Sequence, residues 1–255
     1  SMPKIRADQL LVDSGLCVSR SLGRQLILAG KVLAPDGTVL TKPGRLVPDD
    51  WKLTLLEPPR FVSRGAEKLL AAIAAFQPPI AGCTALDLGA STGGFTDVLL
   101  AHGAAKVFAV DVGIDQLHDR LRTDPRVVSL EQTNARDLTT AIIPVPIDLL
   151  VADLSFISLT KVLPAARPLL TSHAWAIVLI KPQFEADRQD IGKQGVVRNP
   201  AVRQACVDKI LAFAAAELGW SCLGVIPSPI TGPKGNQEFL AAFQNGPPPA
   251  APPPP

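Results

Sequence analysis

Five short, nearly continuous apolar segments dominate the chain from residue 84 onward: TALDLG (84–89), KVFAVDV (106–112), RVVSLE (126–131), DLLVAD (148–153) and AIVLIKP (176–182). Helical patterns, such as those over 67–76 and 94–102, separate them. A strand with one face in water alternates apolar and polar residues. These runs carry no polar stripe, so both of their faces must be covered. Strands of this kind alternating with helices predict an α/β fold, a mostly parallel sheet with helices on both sides.

The first sixty residues read differently. ADQLLVDSGLCVSRSLGRQLILAG predicts a short amphipathic helix and a second, Ser-led helix from about Ser19, followed by strands separated by the PDG and KPG turns. Pro58 and Pro59 close this small α+β unit, because two prolines cannot continue a strand ladder. The expected organisation is a first domain over 1–57, a linker over 58–63, a second domain over 64–245 and a disordered, Pro-rich tail over 246–255.

Charge separates the same two regions. The whole chain carries a net charge of +2, but residues 1–62 hold nine Lys/Arg against six Asp/Glu, and the remainder balances at −1. A small basic module suits a polyanion, since each phosphate contact releases condensed counterions. Lys4, Arg6, Arg20, Arg24, Lys31 and Lys42 are its candidate phosphate-contacting residues, the alternative being an ordinary solvated surface.

At 255 residues and 47% hydrophobic side chains, the chain can bury a large core. No apolar run reaches the roughly 18 residues that span a bilayer, and SMPKIRADQLL lacks the apolar stretch of a secretory signal, so no membrane association and a cytoplasmic location are expected. Cys17, Cys83, Cys206 and Cys222 form no CxxC pair and have no neighbouring histidine, which predicts buried free thiols and no metal site. His102, His118 and His173 are isolated from one another and receive no catalytic role.

The stretch LDLGASTGGFTDVLL (86–100) runs from a strand through a glycine-rich turn into a helix. A dinucleotide site would read GxGxxG. Here the order is Gly89, Ala90, Ser91, Thr92, Gly93, Gly94, Phe95, with Asp87 two residues ahead of the first glycine. Pyrophosphate binds to backbone amides and is repelled by a nearby carboxylate, whereas the ammonium of an amino-acid tail is attracted by one. This favours S-adenosylmethionine over NAD. Asp111, at the end of the next strand, is placed to accept the ribose hydroxyls, and Asn134, after the third strand, to meet the adenine edge.

These motifs in combination, with VDVG (110–113), QTNAR (132–136), VADLSFISL (151–159), LIKPQFE (179–185) and GNQEFL (235–240), closely resemble the TlyA family of ribosomal RNA 2′-O-methyltransferases, and more loosely the FtsJ-type fold. KIRADQLLVDSGLCVSR and GKVL resemble the small RNA-binding module of that family. The resemblance implies a Rossmann-like class I methyltransferase domain behind an RNA-binding domain, S-adenosylmethionine as cofactor, and ribosomal RNA or ribosomal subunits as partner, with cytidine in 23S and/or 16S RNA as target. It leaves the oligomeric state open. It also implies a catalytic Lys-Asp-Lys-Glu tetrad at Lys68, Asp153, Lys181 and Glu238, with Asp153 also near the cofactor. The linker RFVSRG departs from the family by carrying Phe61 where a Trp is expected.

A ribose hydroxyl is a poor nucleophile at neutral pH. A lysine can orient it, stabilise developing alkoxide charge or, when neutral, accept its proton, and carboxylates hold the ammonium groups in place. Lys181 is the expected central catalytic lysine. Three other classes are weaker. An NAD-dependent oxidoreductase conflicts with the glycine spacing and with Asp87. A pseudouridine synthase needs an Asp after Gly44-Arg45-Leu46, where Val47 stands. A membrane-lytic protein, suggested by the haemolysin name given to some family members, lacks a suitable segment. An RNA-binding protein with an inactive methyltransferase domain conflicts with the intact tetrad.

Overall fold

The computed structural model describes residues 2–56, 60–248 and 253–255. The chain divides into two compact units, Ser1–Arg64 and Gly65–Pro255. Residues 57–59, at the junction of the expected first domain and linker, and residues 249–252 of the expected tail lie outside the described residues.

In the first unit, strand β1 (Lys4–Arg6) leads into helix α1 (Ala7–Asp13), and helix α2 (Arg20–Leu28) follows. The Ser19 side chain caps α2 by accepting a hydrogen bond from the Leu22 amide at 3.1 Å, the role that its hydroxyl predicts. The short strands β2 (Val32–Leu33), β3 (Leu46–Pro48) and β4 (Thr54–Leu55) complete the unit, β1 pairing with β3 and β2 with β4, both antiparallel. Leu10, Leu11, Ile27, Val32, Leu40, Val47 and Leu53 form its core.

The second unit begins with helix α3 (Gly65–Phe76) and strand β5 (Thr84–Leu88), then helix α4 (Gly94–Ala101), strand β6 (Lys106–Val110), helix α5 (Asp119–Arg122) and strand β7 (Val127–Leu130). The chain then crosses back to strand β8 (Ile147–Ala152), helix α6 (Leu159–Ala166), strand β9 (Leu170–Ile180), helix α7 (Pro182–Glu185) and helix α8 (Pro200–Phe213), and ends in strands β10 (Trp220–Pro227) and β11 (Phe239–Asn245). The sheet order is β10-β11-β9-β8-β5-β6-β7. The five apolar segments form the parallel part; β11 runs antiparallel to β9 and β10 antiparallel to β11.

Leu86, Leu88, Leu149, Leu150, Val151, Ile177, Val178 and Ile180 are fully buried, which accounts for the missing polar stripe. Each such side chain contributes about 1.5–3 kcal/mol when fully buried. Because β5 lies between β6 and β8, successive connections leave it in opposite directions, and the crevice at its carboxyl end is where such sheets bind ligands. Cys17, Cys83 and Cys206 are buried as expected, but Cys222 is exposed: it lies on the edge strand β10, where one face is open to water. Among the described residues, no helix is long and apolar enough to cross a membrane.

Candidate active site

The carboxyl ends of β5, β6 and β8 open onto a cleft of about 500 Å³ lined by Gly89, Ser91, Asp111, Asn134, Asp153 and Phe156, among others. The turn after β5 is held against β6 by bonds from the Gly89 and Ala90 amides to the Val110 carbonyl, at 2.9 and 3.0 Å. Gly89 has φ of +76°, and a Cβ there would collide with the Asp153 carbonyl oxygen, so the turn can approach β8 only without a side chain. Gly93, with φ of +103°, caps the start of α4. Thr92 is exposed, whereas Ala90, Gly93, Gly94 and Phe95 are buried and shape the turn from behind.

Asp111 is fixed by its neighbours: Oδ2 accepts from the Ser91 amide and Oδ1 from the Gly113 amide, both at 2.8 Å. Each oxygen keeps a lone pair for a hydroxyl donor. Asn134 uses its side-chain oxygen to cap the following turn, accepting from the Arg136 amide at 3.0 Å, and its amide nitrogen remains a donor.

Asp87 is completely buried. Its Oδ2 accepts from the Thr96 hydroxyl at 2.7 Å, but Oδ1 has no hydrogen-bond partner among the described residues. Burial, aided by the nearby Asp153 and Asp111 charges, pushes this carboxyl up to about 7. A buried carboxylate oxygen without a donor is suited to receive a cation.

The four tetrad candidates form two ion pairs. Lys181, immediately after β9, places Nζ 2.6 Å from Asp153 Oδ1, immediately after β8, and also donates to Ser155 Oγ at 3.1 Å. Lys68, on α3, lies 3.0 Å from Oε1 of Glu238, and Gln183 donates to the other Glu238 oxygen at 2.8 Å. Phe239 pairs with Ile180 across β11 and β9, so Glu238 and Lys181 stand at the same end of the sheet. The Lys68 and Glu238 side chains are only 10% and 0% exposed. Removing one partner would leave an uncompensated buried charge, which typically costs about 3–5 kcal/mol.

Ser155, Phe156 and Gln183 were not singled out by sequence, although they lie inside VADLSFISL and LIKPQFE. Phe156 is 90% exposed, adopts φ of +65° and packs against Phe184 with ring centroids 5.1 Å apart. In the first unit, Lys4, Arg6, Arg20, Arg24 and Lys42 are exposed and Lys31 is half-buried. Arg6 is committed in part to Asp8, donating through Nε at 3.0 Å and Nη2 at 2.9 Å, and this holds the buried Asp8 carboxyl below its usual range. The Arg60 guanidinium stacks over the Phe61 ring at 4.8 Å. No group of three or more His, Cys, Asp or Glu suited to a metal ion occurs among the described residues.

Comparison with known proteins agrees with this architecture. The FtsJ-like methyltransferase model matches residues 61–245, and the S4 domain model matches residues 5–49. The chain is 49% identical over 239 residues to the 16S/23S rRNA (cytidine-2′-O)-methyltransferase TlyA of Mycobacterium tuberculosis, covering 93% of this chain and 88% of that one. It is 44% identical to YqxC of Bacillus subtilis, covering 93% and 84%. A solved Streptococcus thermophilus structure named as a hemolysin superposes with a TM-score of 0.74 at 40% identity, covering 96% of this chain and 90% of that one. With an S4 domain followed by an FtsJ-like methyltransferase domain and close identity over nearly its whole length, the chain belongs to the TlyA family.

Proposed function

We propose that this chain transfers a methyl group from S-adenosylmethionine to a ribose 2′-hydroxyl of ribosomal RNA, at a cytidine as in its Mycobacterium tuberculosis relative. The first domain, residues 1–57, grips the RNA, with Lys4, Arg6, Arg20, Arg24, Lys31 and Lys42 on phosphates; residues 58–63 link it to the methyltransferase domain, residues 64–245. The observation that carries the proposal is the Lys181–Asp153 pair beside the cleft, with the partnerless Asp87 oxygen behind the same loop.

The site's donors and acceptors suit this cofactor. Asp87 Oδ1 would receive its ammonium, the free lone pairs of Asp111 its ribose hydroxyls, and the Asn134 amide its adenine edge. The cofactor supplies an electrophilic methyl on sulfonium sulfur. Lys181 orients the 2′-oxygen and stabilises its developing negative charge as the hydroxyl proton is lost to solvent, while Asp153 and Ser155 hold the ammonium in place. Lys68 and Glu238, buried and paired, arrange the substrate side of the site. The partner is ribosomal RNA, and the location is cytoplasmic.

Calorimetric titration with S-adenosylmethionine and with NAD tests the cofactor, binding being expected for the first alone. Mapping 2′-O-methylation in ribosomal RNA from cells with and without the gene tests the reaction. An unchanged methylation map would overturn the proposal.

A further inference from the structure

One buried carboxylate beside the site touches none of the reacting groups. Glu185 is the last residue of α7, four positions after Lys181, and its side chain is 2% exposed. It reaches away from its own segment to the start of α6. Oε1 accepts from the Leu159 amide at 2.8 Å, and Oε2 accepts from the Ser158 hydroxyl at 2.6 Å. Ser158 is the N-cap of α6; because a carboxylate only accepts, its hydroxyl proton must point to Glu185, leaving its lone pairs to the Thr160 amide and hydroxyl. Lys209 on α8 compensates the charge, donating to Glu185 Oε2 at 3.1 Å and to the Glu185 carbonyl at 2.9 Å.

The geometry joins two segments that both carry reacting groups. The connection from β8 to α6 holds Asp153, Ser155 and Phe156, and it ends at Ser158. The segment after β9 holds Lys181, Gln183 and Phe184, and it ends at Glu185. They meet near the cleft through Lys181–Asp153, Lys181–Ser155 and Phe156–Phe184, and meet again farther along through Glu185. The contacts near the cleft involve a loop with a positive-φ phenylalanine and a partly exposed Asp153. The Glu185 contacts are buried, charge-assisted and fixed to a helix N-terminus, where a carboxylate is favoured.

We infer that Glu185 is a positioning residue for methyl transfer: by pinning the start of α6 to α7, it sets Asp153 and Ser155 against Lys181. This rests on the proposed function, since it presumes that Lys181 acts on the 2′-oxygen. A displacement of about 1 Å at such a pair lowers turnover on the order of 10²-fold.

The test uses the full chain with ribosomal RNA and radiolabelled S-adenosylmethionine. Glu185→Ala is expected to lower kcat about 10–100-fold while leaving both KM values within a few-fold. Glu185→Gln keeps an acceptor for the Leu159 amide and is expected to restore most of the turnover. Added to Lys181→Ala, Glu185→Ala is expected to cause no further loss, because its effect passes through that lysine; a merely structural role would multiply the two losses. If Glu185→Ala fails to fold, Ser158→Ala, which removes the hydroxyl donor to Oε2 together with the bonds that Ser158 makes to Thr160, is expected to lower kcat without weakening cofactor binding. Full activity of Glu185→Ala in an active wild-type background, or multiplicative losses with Lys181→Ala, would overturn the inference. A wild-type enzyme that leaves ribosomal RNA unmethylated would overturn the functional proposal itself.

Discussion

Asp87 makes a prediction in which binding, charge and stability are linked. In the free protein its carboxyl is pushed up to about 7 by burial, from an ordinary value of 3.8. The cofactor's ammonium, proposed to sit at Oδ1, would favour the ionised form, so binding there should expel the proton. At about pH 6 the free carboxyl is ~90% protonated, and complex formation should release ~0.9 proton. Calorimetry at that pH in two buffers of different ionisation enthalpy measures this release. Asp87→Asn keeps an acceptor for the Thr96 hydroxyl but carries no titrating proton, so the release should vanish and affinity should fall by about 1.5–3 kcal/mol. Stability runs the other way. A folded-state pKa above the unfolded one contributes stability fully present below about 4 and lost as pH rises through about 7, and this interval corresponds to at most ~4 kcal/mol. Without cofactor near pH 8, Asp87→Asn should therefore be the more stable protein in denaturant unfolding. Equal proton release by wild type and variant at pH 6 would refute the reasoning.

Lys181→Ala should lower turnover by about 10²–10⁴-fold with little change in RNA or cofactor affinity, measured by single-turnover methylation. Lys181→Arg keeps the positive charge but cannot accept a proton, so near-normal activity of that variant would leave orientation and charge stabilisation as the lysine's only roles. Gly89→Ala should weaken cofactor binding and lower the melting temperature. The left-handed backbone alone costs about 1–2 kcal/mol, and the new methyl would also press on the Asp153 carbonyl. Replacing Arg20 and Arg24 together by Ala should weaken RNA binding and reduce its salt dependence by roughly 0.7–0.9 in log–log slope for each phosphate no longer neutralised, leaving cofactor titrations unchanged.

The parallel strands are legible in the sequence because burial on both faces imprints an uninterrupted apolar run, as in AIVLI before Lys181. β1 is not, since three residues with an exposed Lys4 and Arg6 are ordered by backbone pairing to Leu46–Pro48. β10 and β11 also escape a reading by local pattern. In β10 a mid-strand Gly224 and half-buried residues blur the periodicity, and the antiparallel pairing is set by tertiary contacts. Asp87, Gly89, Asp111 and Asp153 can be placed at strand ends from local pattern. The division of the tetrad into two pairs cannot, because Lys68 and Glu238 are 170 positions apart and nothing in either segment encodes the meeting. Gln183 and Glu185 sit in LIKPQFE, but their partners on β11's approach and at the start of α6 are visible only in three dimensions.

The antiparallel return of β11 has a consequence for the order in which a growing polypeptide becomes competent. A nascent chain that has emerged through β9 already contains both Asp153 and Lys181, yet the carboxylate that neutralises Lys68 comes only with Glu238, just ahead of the final strand. Until then Lys68 cannot be buried in its final position without carrying an unpaired charge into the interior, so the α3 face must stay hydrated or open. The last strand therefore adds more than another member to the sheet: its arrival makes burial of that lysine electrostatically allowed. A product terminated before residue 238 would retain the glycine-rich turn after β5 but not the buried Lys68–Glu238 pair.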